Sequence, residues 1–215
     1  MAQAFSRRAV LLLKLILLGV LAAIAVAWVG AYKALPAQSG PESARQPIPF
    51  SHKHHAGDDG IDCRYCHWSV DKSAFAGIPA AQVCMSCHSQ LYADAPILAP
   101  LRESARSGVP LAWVRVHDLP GFVYFDHSIH VAKGVGCIEC HGRVDTMPRI
   151  RRVASLEMQW CLECHRNPGP HLRDPEQAFA MTETPRLGHD EQAALMRRLH
   201  IAGERRMTDC STCHR

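Results

Sequence analysis

The sequence has few aromatic residues and no cysteine outside one short motif. Aromatic side chains make up 7% of the chain, which indicates that large side chains do not build most of its interior. All ten cysteines fall into five Cys-x-x-Cys pairs, and a histidine follows every pair directly. Zinc ribbons pair such motifs two by two, so five would leave one unmatched. Disulfide frameworks and thioredoxin-like dithiols have no need of that histidine.

The repeated Cys-x-x-Cys-His motif is typical of covalent haem attachment. Its two thiols form thioethers to one porphyrin, and the histidine that follows binds the iron from one side. The sequence therefore predicts five covalently bound haem c groups. The thioether cysteines are Cys63, Cys66, Cys84, Cys87, Cys137, Cys140, Cys161, Cys164, Cys210 and Cys213. The proximal ligands are His67, His88, His141, His165 and His214.

Two histidine pairs precede these motifs at equal spacing. His52 and His55 lie before the first two motifs, and His127 and His130 lie before the third and fourth. Histidines three apart share one face of a helix, and each can bind an iron whose other axial position is taken by the histidine of a motif. We therefore predict that these four side chains are distal ligands. Their irons then have both axial positions filled.

The chain contains an internal repeat. The second histidine pair lies 75 residues after the first, and the motifs that follow keep nearly the same offset. This predicts two dihaem units in tandem, 50–88 and 125–168. The inter-unit segment, 89–124, either docks partners or packs between the units, and the C-terminal segment, 169–215, carries the fifth motif. Five haems in so short a chain predict a mainly irregular fold with short α-helices.

Two helices are predicted outside the dihaem units. Residues 100–107 read as a short helix, because Gly108 directly after them is a helix stop. A second helix is predicted from 190 to about 206, with Asp190 as its N-cap.

Several side chains are candidates for the distal ligand of the fifth haem. His117 lies just before the second histidine pair and is the best remaining candidate. Its competitors are His171, His189, His200, Met158, Met181, Met196 and Met207. His54, between the predicted ligands of the first unit, is expected to face solvent or a haem propionate.

The N-terminus carries one long apolar run. Residues 9–31 are apolar except for Lys14, and two arginines precede them. That length crosses a bilayer as a helix, and the positive residues stay on the cytoplasmic side. We therefore predict a single-pass anchor, 1–33, in the inner membrane, a proline-rich linker, 34–49, and a haem domain on the periplasmic side. The alternative is a cleaved signal peptide, for which residues 25–27 offer a small-residue cleavage site.

The charge balance argues against nucleic acid as a partner. The polypeptide has a formal net charge of only +4, and each haem adds two propionate carboxylates. The holoprotein is then net acidic, so it would be repelled by a phosphate backbone. We expect a cationic run to face solvent or to pair with propionates. It consists of Arg149, Arg151 and Arg152, with Arg143 nearby.

These patterns resemble known multihaem cytochromes. The Phe-x-His-x-x-His segment before Cys-x-x-Cys-His resembles class III cytochromes c, in which the two histidines of such a pair bind different haems. The segments 46–52, 60–67, 116–127 and 134–137, with the anchor, resemble the pentahaem subunit of alternative complex III. The resemblance covers nearly the whole chain.

This resemblance implies partners in a membrane complex. They are an iron–sulfur and molybdopterin-like subunit and polytopic quinol-binding subunits, with a monohaem cytochrome c or an oxidase as the acceptor. The menaquinone reductase complexes have a similar multihaem subunit, so the direction of electron flow stays open.

The sequence favours an electron carrier over an enzyme. Irons with both axial positions filled change redox state without binding substrate, so we expect an electron-transfer subunit of a quinol oxidoreductase complex. A multihaem reductase with one open iron needs a pocket lined with catalytic groups, and the sequence shows no such cluster. A chain that oxidises quinol directly would have to build a quinone pocket on a helix whose one ionisable residue is Lys14.

Overall fold

The computed structural model describes residues 6–34 and 45–214. They form two units, an N-terminal helix and a domain that holds every motif. The first residues of the predicted anchor, most of the predicted linker and Arg215 lie outside the described residues.

The apolar run forms one helix, Arg7–Ala34. The Ser6 hydroxyl accepts a hydrogen bond from the Ala9 amide at 3.2 Å and caps the first turn. The side chains of residues 7–31 are all exposed, Leu18 to 67%. The stretch Arg7–Ala31 has a mean hydropathy of 2.8 and is long and apolar enough to cross a bilayer. A signal sequence of this length and composition would meet the same criterion.

The domain consists of short helices joined by irregular chain, as predicted. Its longest helix has 10 residues. Within 45–214 there is no strand, and two isolated antiparallel bridges join Val123 to His214 and Val135 to Leu172. The α-helices are Cys63–Cys66, Ala81–His88, Ala99–Ser107, His127–Ala132, Cys137–His141, Met158–Arg166, His189–Arg198, Glu204–Met207 and Cys210–Cys213. The π-helical turn is Lys53–Asp58, and the 3₁₀ turns are Pro96–Leu98, Val144–Thr146, Gly169–His171 and Pro175–Gln177.

Aspartates begin three of the short helices that carry ligand residues. Asp62 and Asp209 each precede the first cysteine of a motif, and each carboxylate accepts a hydrogen bond from the amide two residues on. Asp126 accepts from two amides directly in front of the second histidine pair. Such caps satisfy amides that a short helix cannot bond internally. These aspartates therefore define where the ligand-bearing turns begin.

The inter-unit segment packs against the first dihaem unit. Leu101, which is 2% exposed, comes from the Ala99–Ser107 helix and forms a buried cluster with Ile48 and Ala81. Ala81 opens the helix of the second motif, so the two helices are in direct contact. The helix predicted at 100–107 is confirmed, and it ends where Gly108 takes a φ of 76°.

The helix predicted from 190 to about 206 is wrong at its C-terminal end. The observed helix is His189–Arg198, and a separate short helix follows it. The Lys133 ammonium donates to the Leu199 carbonyl at 2.7 Å, which satisfies an acceptor at the end of the longer helix. His200 then takes a φ of 50°, and a left-handed residue cannot continue a right-handed helix.

Candidate haem-attachment sites

Each Cys-x-x-Cys motif lies on a short helix. The two cysteines of a motif are three residues apart and share one face of a helical turn. The histidine of the motif lies at the end of that helix or next to it. All ten cysteines are free thiols. Each motif therefore offers two thiols on one turn, with an imidazole directly after them.

Burial keeps many of these thiols protonated. It is the main cause that raises the pKa of Cys137 and of Cys164 to about 11 and the pKa of Cys140 to about 12. The same cause raises the pKa of a further set of thiols. They are Cys63, Cys66, Cys84, Cys161 and Cys213. Burial of the sulfur atoms thus favours the neutral thiol over the charged thiolate.

Thiols of different motifs lie close enough to influence one another. In four cases burial is the main cause of a raised pKa, and a thiol of another motif raises the pKa further. With the affected cysteine first, the pairs are Cys66 and Cys84, Cys137 and Cys63, Cys140 and Cys164, and Cys161 and Cys213. The first motif is therefore near the second and the third, and the fourth is near the third and the fifth.

Seven predicted ligands each direct one ring nitrogen at a backbone carbonyl oxygen. A carbonyl oxygen only accepts, so the Nδ1 atom carries the proton and donates it. The bonds run from His55 to Ser51 at 2.9 Å, His67 to Gly77 at 2.7 Å, His88 to Leu91 at 3.0 Å, His127 to Ala74 at 2.8 Å, His130 to Asp126 at 2.7 Å, His165 to Met207 at 2.8 Å and His214 to Phe122 at 3.2 Å. Each bond orients its ring and leaves Nε2 with a free lone pair, as in metal-binding histidines.

Three pairs of predicted ligands lie at the spacing of two axial ligands. Each pair joins one distal candidate to one proximal histidine. The ring centres are 6.2 Å apart for His55 and His88, 6.2 Å for His130 and His165, and 6.4 Å for His127 and His141. Two imidazoles that bind one metal ion from opposite sides, through bonds of about 2 Å, have ring centres about 6 Å apart. The first two pairs occupy equivalent positions of the internal repeat.

His52 is the fourth distal candidate, and it lies near the proximal His67. Its pKa falls to about 4, mainly through burial and also through the proximity of His67 and His55. A neutral imidazole is the form that binds a metal ion. The Nδ1 atom of His52 is buried without a hydrogen-bond partner.

His117 lies beside the third motif. The ring centres of His117 and His141 are 4.2 Å apart, which is too close for the two rings to bind one iron from opposite sides. Burial lowers the pKa of His117, and the nearby Arg152 and His127 lower it further. Its Nε2 atom is buried without a hydrogen-bond partner. Its assignment as a distal ligand stays a prediction.

The other candidate ligands have different surroundings. His54 is exposed, as expected, with its Nε2 atom 3.5 Å from a carboxylate oxygen of Asp59. His171 donates through Nδ1 to Glu139 at 2.8 Å, and this bond raises the pKa of His171. His189 is almost fully exposed, at 97%. Two further candidates are exposed, His200 and Met158.

Sequence reasoning assigned no role to two phenylalanines that pack against the predicted ligands. Phe50 stacks on His55 with ring centres 4.5 Å apart, and Phe125 stacks on His130 at 4.4 Å. Each phenylalanine also meets the first histidine of its pair edge to face. The signal was present in the sequence, because both phenylalanines recur at the offset of the repeat.

Large apolar side chains are exposed next to the motifs. Trp68, which follows His67, is 65% exposed, and Phe75 is 72% exposed. Phe122 is 63% exposed, and its ring centre lies 5.9 Å from that of His214. These apolar surfaces, with the thiols and the oriented imidazoles, fit covalently attached haem. Within 6–34 and 45–214, no group of three or more histidine, cysteine, aspartate or glutamate side chains is placed to hold a bare metal ion.

Comparison with known proteins finds two matches. The model of the class III cytochrome c family matches residues 29–97, a stretch that includes the first dihaem unit. The chain is also 29% identical over 170 residues to the multiheme cytochrome c subunit of menaquinone reductase from Nitratidesulfovibrio vulgaris (strain Hildenborough). That alignment covers 79% of this chain and 67% of the other protein. Neither match singles out alternative complex III.

Proposed function

Because this chain is a multihaem c-type cytochrome, a class of electron carrier, we propose that it is the pentahaem electron-transfer subunit of a membrane quinone oxidoreductase. It passes electrons one at a time between a quinone-binding partner and a second redox protein. The chain performs no bond chemistry itself.

The observation that carries this proposal is the spacing of the imidazole pairs. Three distal candidates lie 6.2 to 6.4 Å from three proximal histidines. Side chains in this arrangement occupy both axial positions of an iron and exclude a substrate from it. Haem supplies reversible one-electron chemistry when bound. The protein contributes attachment, axial ligation and orientation through the carbonyl-bonded Nδ1 atoms.

Each predicted site residue except His117 has a stated role in this proposal. The ten cysteines form two thioethers to each of five haems, and the histidine of each motif is the proximal ligand. His55, His127 and His130 are the distal ligands opposite His88, His141 and His165. His52 is the distal ligand opposite His67, and the proximity of His67 contributes, after burial, to the lowered pKa of His52.

The N-terminal helix is the membrane anchor in this proposal. Arg7–Ala31 spans the inner membrane once, and the haem domain lies on the periplasmic side. The partners are polytopic quinol-binding subunits and an iron–sulfur and molybdopterin-like subunit. A monohaem cytochrome c or an oxidase accepts the electrons if the complex oxidises quinol.

A second candidate function is the reverse direction, in a complex that reduces menaquinone. The similarity to the multiheme subunit of a menaquinone reductase favours it. The two functions use the same ligands and the same attachment chemistry. They differ in which partner gives electrons to the chain.

The direction is tested on the purified membrane complex. One sample receives a reduced quinol analogue, a second receives a reduced soluble c-type cytochrome, and the α-band absorbance of the haems is followed in time. We expect rapid haem reduction by quinol in the complex but not in the isolated chain. Reduction by the cytochrome followed by quinone reduction would instead establish the second function.

Two measurements on the isolated chain could overturn the proposal. Rapid reduction of the isolated chain by quinol would make it a direct quinol dehydrogenase. Turnover of nitrite or hydroxylamine by the isolated chain would require an iron with an open axial position, and it would make the chain a multihaem reductase.

A further inference from the structure

The second motif is joined directly to the first. Tyr65 lies between the cysteines of the first motif and Ser86 between those of the second, and their hydroxyl oxygens are 2.7 Å apart. On its other side the helix of the second motif packs against Ala99–Ser107. The second motif therefore borders the first motif and the inter-unit helix.

The first motif is joined to the third through two shared segments. His67 of the first motif donates to the Gly77 carbonyl, and His127, which pairs with the third motif, donates to the Ala74 carbonyl three residues earlier. One short loop thus orients the histidine of the first motif and the distal candidate that pairs with the third.

The second connection between the first and third motifs is made by the segment that carries the first histidine pair. Gly57 lies so close to Asp145, just after the third motif, that a Cβ at this position would overlap the Asp145 carbonyl oxygen. The Lys53 amide donates to the Met147 carbonyl at 3.0 Å in the same place. The close approach of these two backbones requires a glycine at position 57.

One helix joins the third motif to the fourth. His127 and His130 lie on His127–Ala132, and they pair with His141 of the third motif and His165 of the fourth. Ligands three residues apart on one helix are within about 6 Å of each other. The two sites are therefore adjacent.

The fourth motif is joined to the fifth. His165 donates through Nδ1 to the Met207 carbonyl at 2.8 Å, three residues before Cys210. The hydroxyl of Thr212, inside the fifth motif, donates to the neighbouring Arg206 carbonyl at 2.7 Å. One short turn thus contacts both motifs.

Exposure distinguishes the second and fifth motifs from the other three. Cys87 of the second motif and Cys210 of the fifth are exposed, whereas the other eight thioether cysteines are partly buried. Both cysteines of the first, third and fourth motifs belong to the partly buried group.

The geometry points to a spatial order that differs from the sequence order: the motifs follow one another as second, first, third, fourth and fifth, and electrons enter and leave the chain at the second and fifth. This inference rests on the proposed function, in which each motif carries a haem.

The test is the position of the five irons in the holoprotein. Anomalous diffraction at the iron edge locates them, and the thioether bonds assign each iron to its motif. We expect the iron of the first motif to be the nearest neighbour of the second-motif iron and to lie next to the third-motif iron as well. A second-motif iron nearest to the third or fifth motif would overturn the order. Fewer than five irons would contradict the proposed function but not the order of those present.

A second measurement uses two matched variants, each lacking one haem. Cys84→Ala with Cys87→Ala removes the second-motif haem, and Cys137→Ala with Cys140→Ala removes the third-motif haem. Nuclear Overhauser contacts between haems are recorded in the fully reduced, diamagnetic proteins. The first variant should lose contacts to one other haem, and the second should lose contacts to two. Equal losses in the two variants would refute the order, and the iron positions decide it if one variant fails to mature.

Discussion

Replacing His55 by alanine tests its proposed pairing with His88, and the adjacent His54 offers a matched control. The His55 ring centre lies 6.2 Å from that of His88, and its Nδ1 atom is held by the Ser51 carbonyl at 2.9 Å. Alanine cannot bind iron, so the second-motif haem would lose its distal ligand. Its two thioethers and His88 do not involve His55, so the haem stays covalently attached.

The size of the effect follows from the number of motifs. One iron of five loses a ligand, so about one-fifth of the ferric low-spin signal should convert to high-spin. The variant also loses the ring that stacks on Phe50 at 4.5 Å, which we expect to lower the free energy of unfolding by about 1–3 kcal/mol. Electron paramagnetic resonance of the oxidised protein measures the first effect, and denaturant unfolding measures the second.

The adjacent His54 provides the matched control. It is exposed and contacts Asp59 rather than a proximal histidine, so His54→Ala should keep every iron low-spin. His130→Ala, the equivalent of His55→Ala in the second unit, should convert another fifth of the signal, because its pair with His165 has the same 6.2 Å spacing. An unchanged low-spin spectrum in His55→Ala, or an equal change in His54→Ala, would refute the pairing.

Three other predictions concern attachment, topology and helix capping. The purified protein should carry five covalent haems by intact mass and by haem staining of denaturing gels, since thioethers survive denaturation; zinc in their place would refute the haem assignment. Alkaline carbonate washing should leave the chain in the membrane if Arg7–Ala31 is a retained anchor, and its release would mean a cleaved signal peptide. Asp126→Ala should lower the free energy of unfolding by about 1 kcal/mol, because this carboxylate caps His127–Ala132. Asp126→Asn keeps a capping oxygen and should cost little, and thermal unfolding compares the two variants.

The local parts of the site were predictable from the sequence, because they depend on short spacings. The Cys-x-x-Cys-His motifs lie on single turns, and the ligand pairs lie on short helical segments. His55 lies against His88, and the equivalent residue of the second unit, His130, lies against His165. Equivalent positions of the sequence repeat therefore make equivalent contacts. In each case the residues that determine the geometry lie within a few positions of one another or recur at one offset.

The long-range parts were not predictable, because they depend on contacts between distant segments. The helix that begins at His189 ends where Lys133, more than sixty residues earlier, donates to the Leu199 carbonyl. The carbonyl that orients His127 belongs to Ala74. The position of His117 against His141 also joins separate segments. No periodicity in the sequence indicates which distant segments come into contact, so the order of the motifs in space is visible only in the structure.

The inferred order gives the internal repeat an arrangement that its sequence does not suggest. Each dihaem unit contains a first motif and a second motif that follows it, and a head-to-tail arrangement would place the second motif of the first unit against the second unit. Instead, Gly57 and Ala74 of the first unit reach the third motif's surroundings, so the two units meet through their first motifs. This leaves the second motif at one end of the series, where Cys87 is exposed. At the other end, the last carbonyls of the Glu204–Met207 helix accept hydrogen bonds from His165 of the fourth motif and from Thr212 of the fifth. The two units are thus in contact through the first and third motifs, and the second and fifth motifs form the two ends of the inferred series.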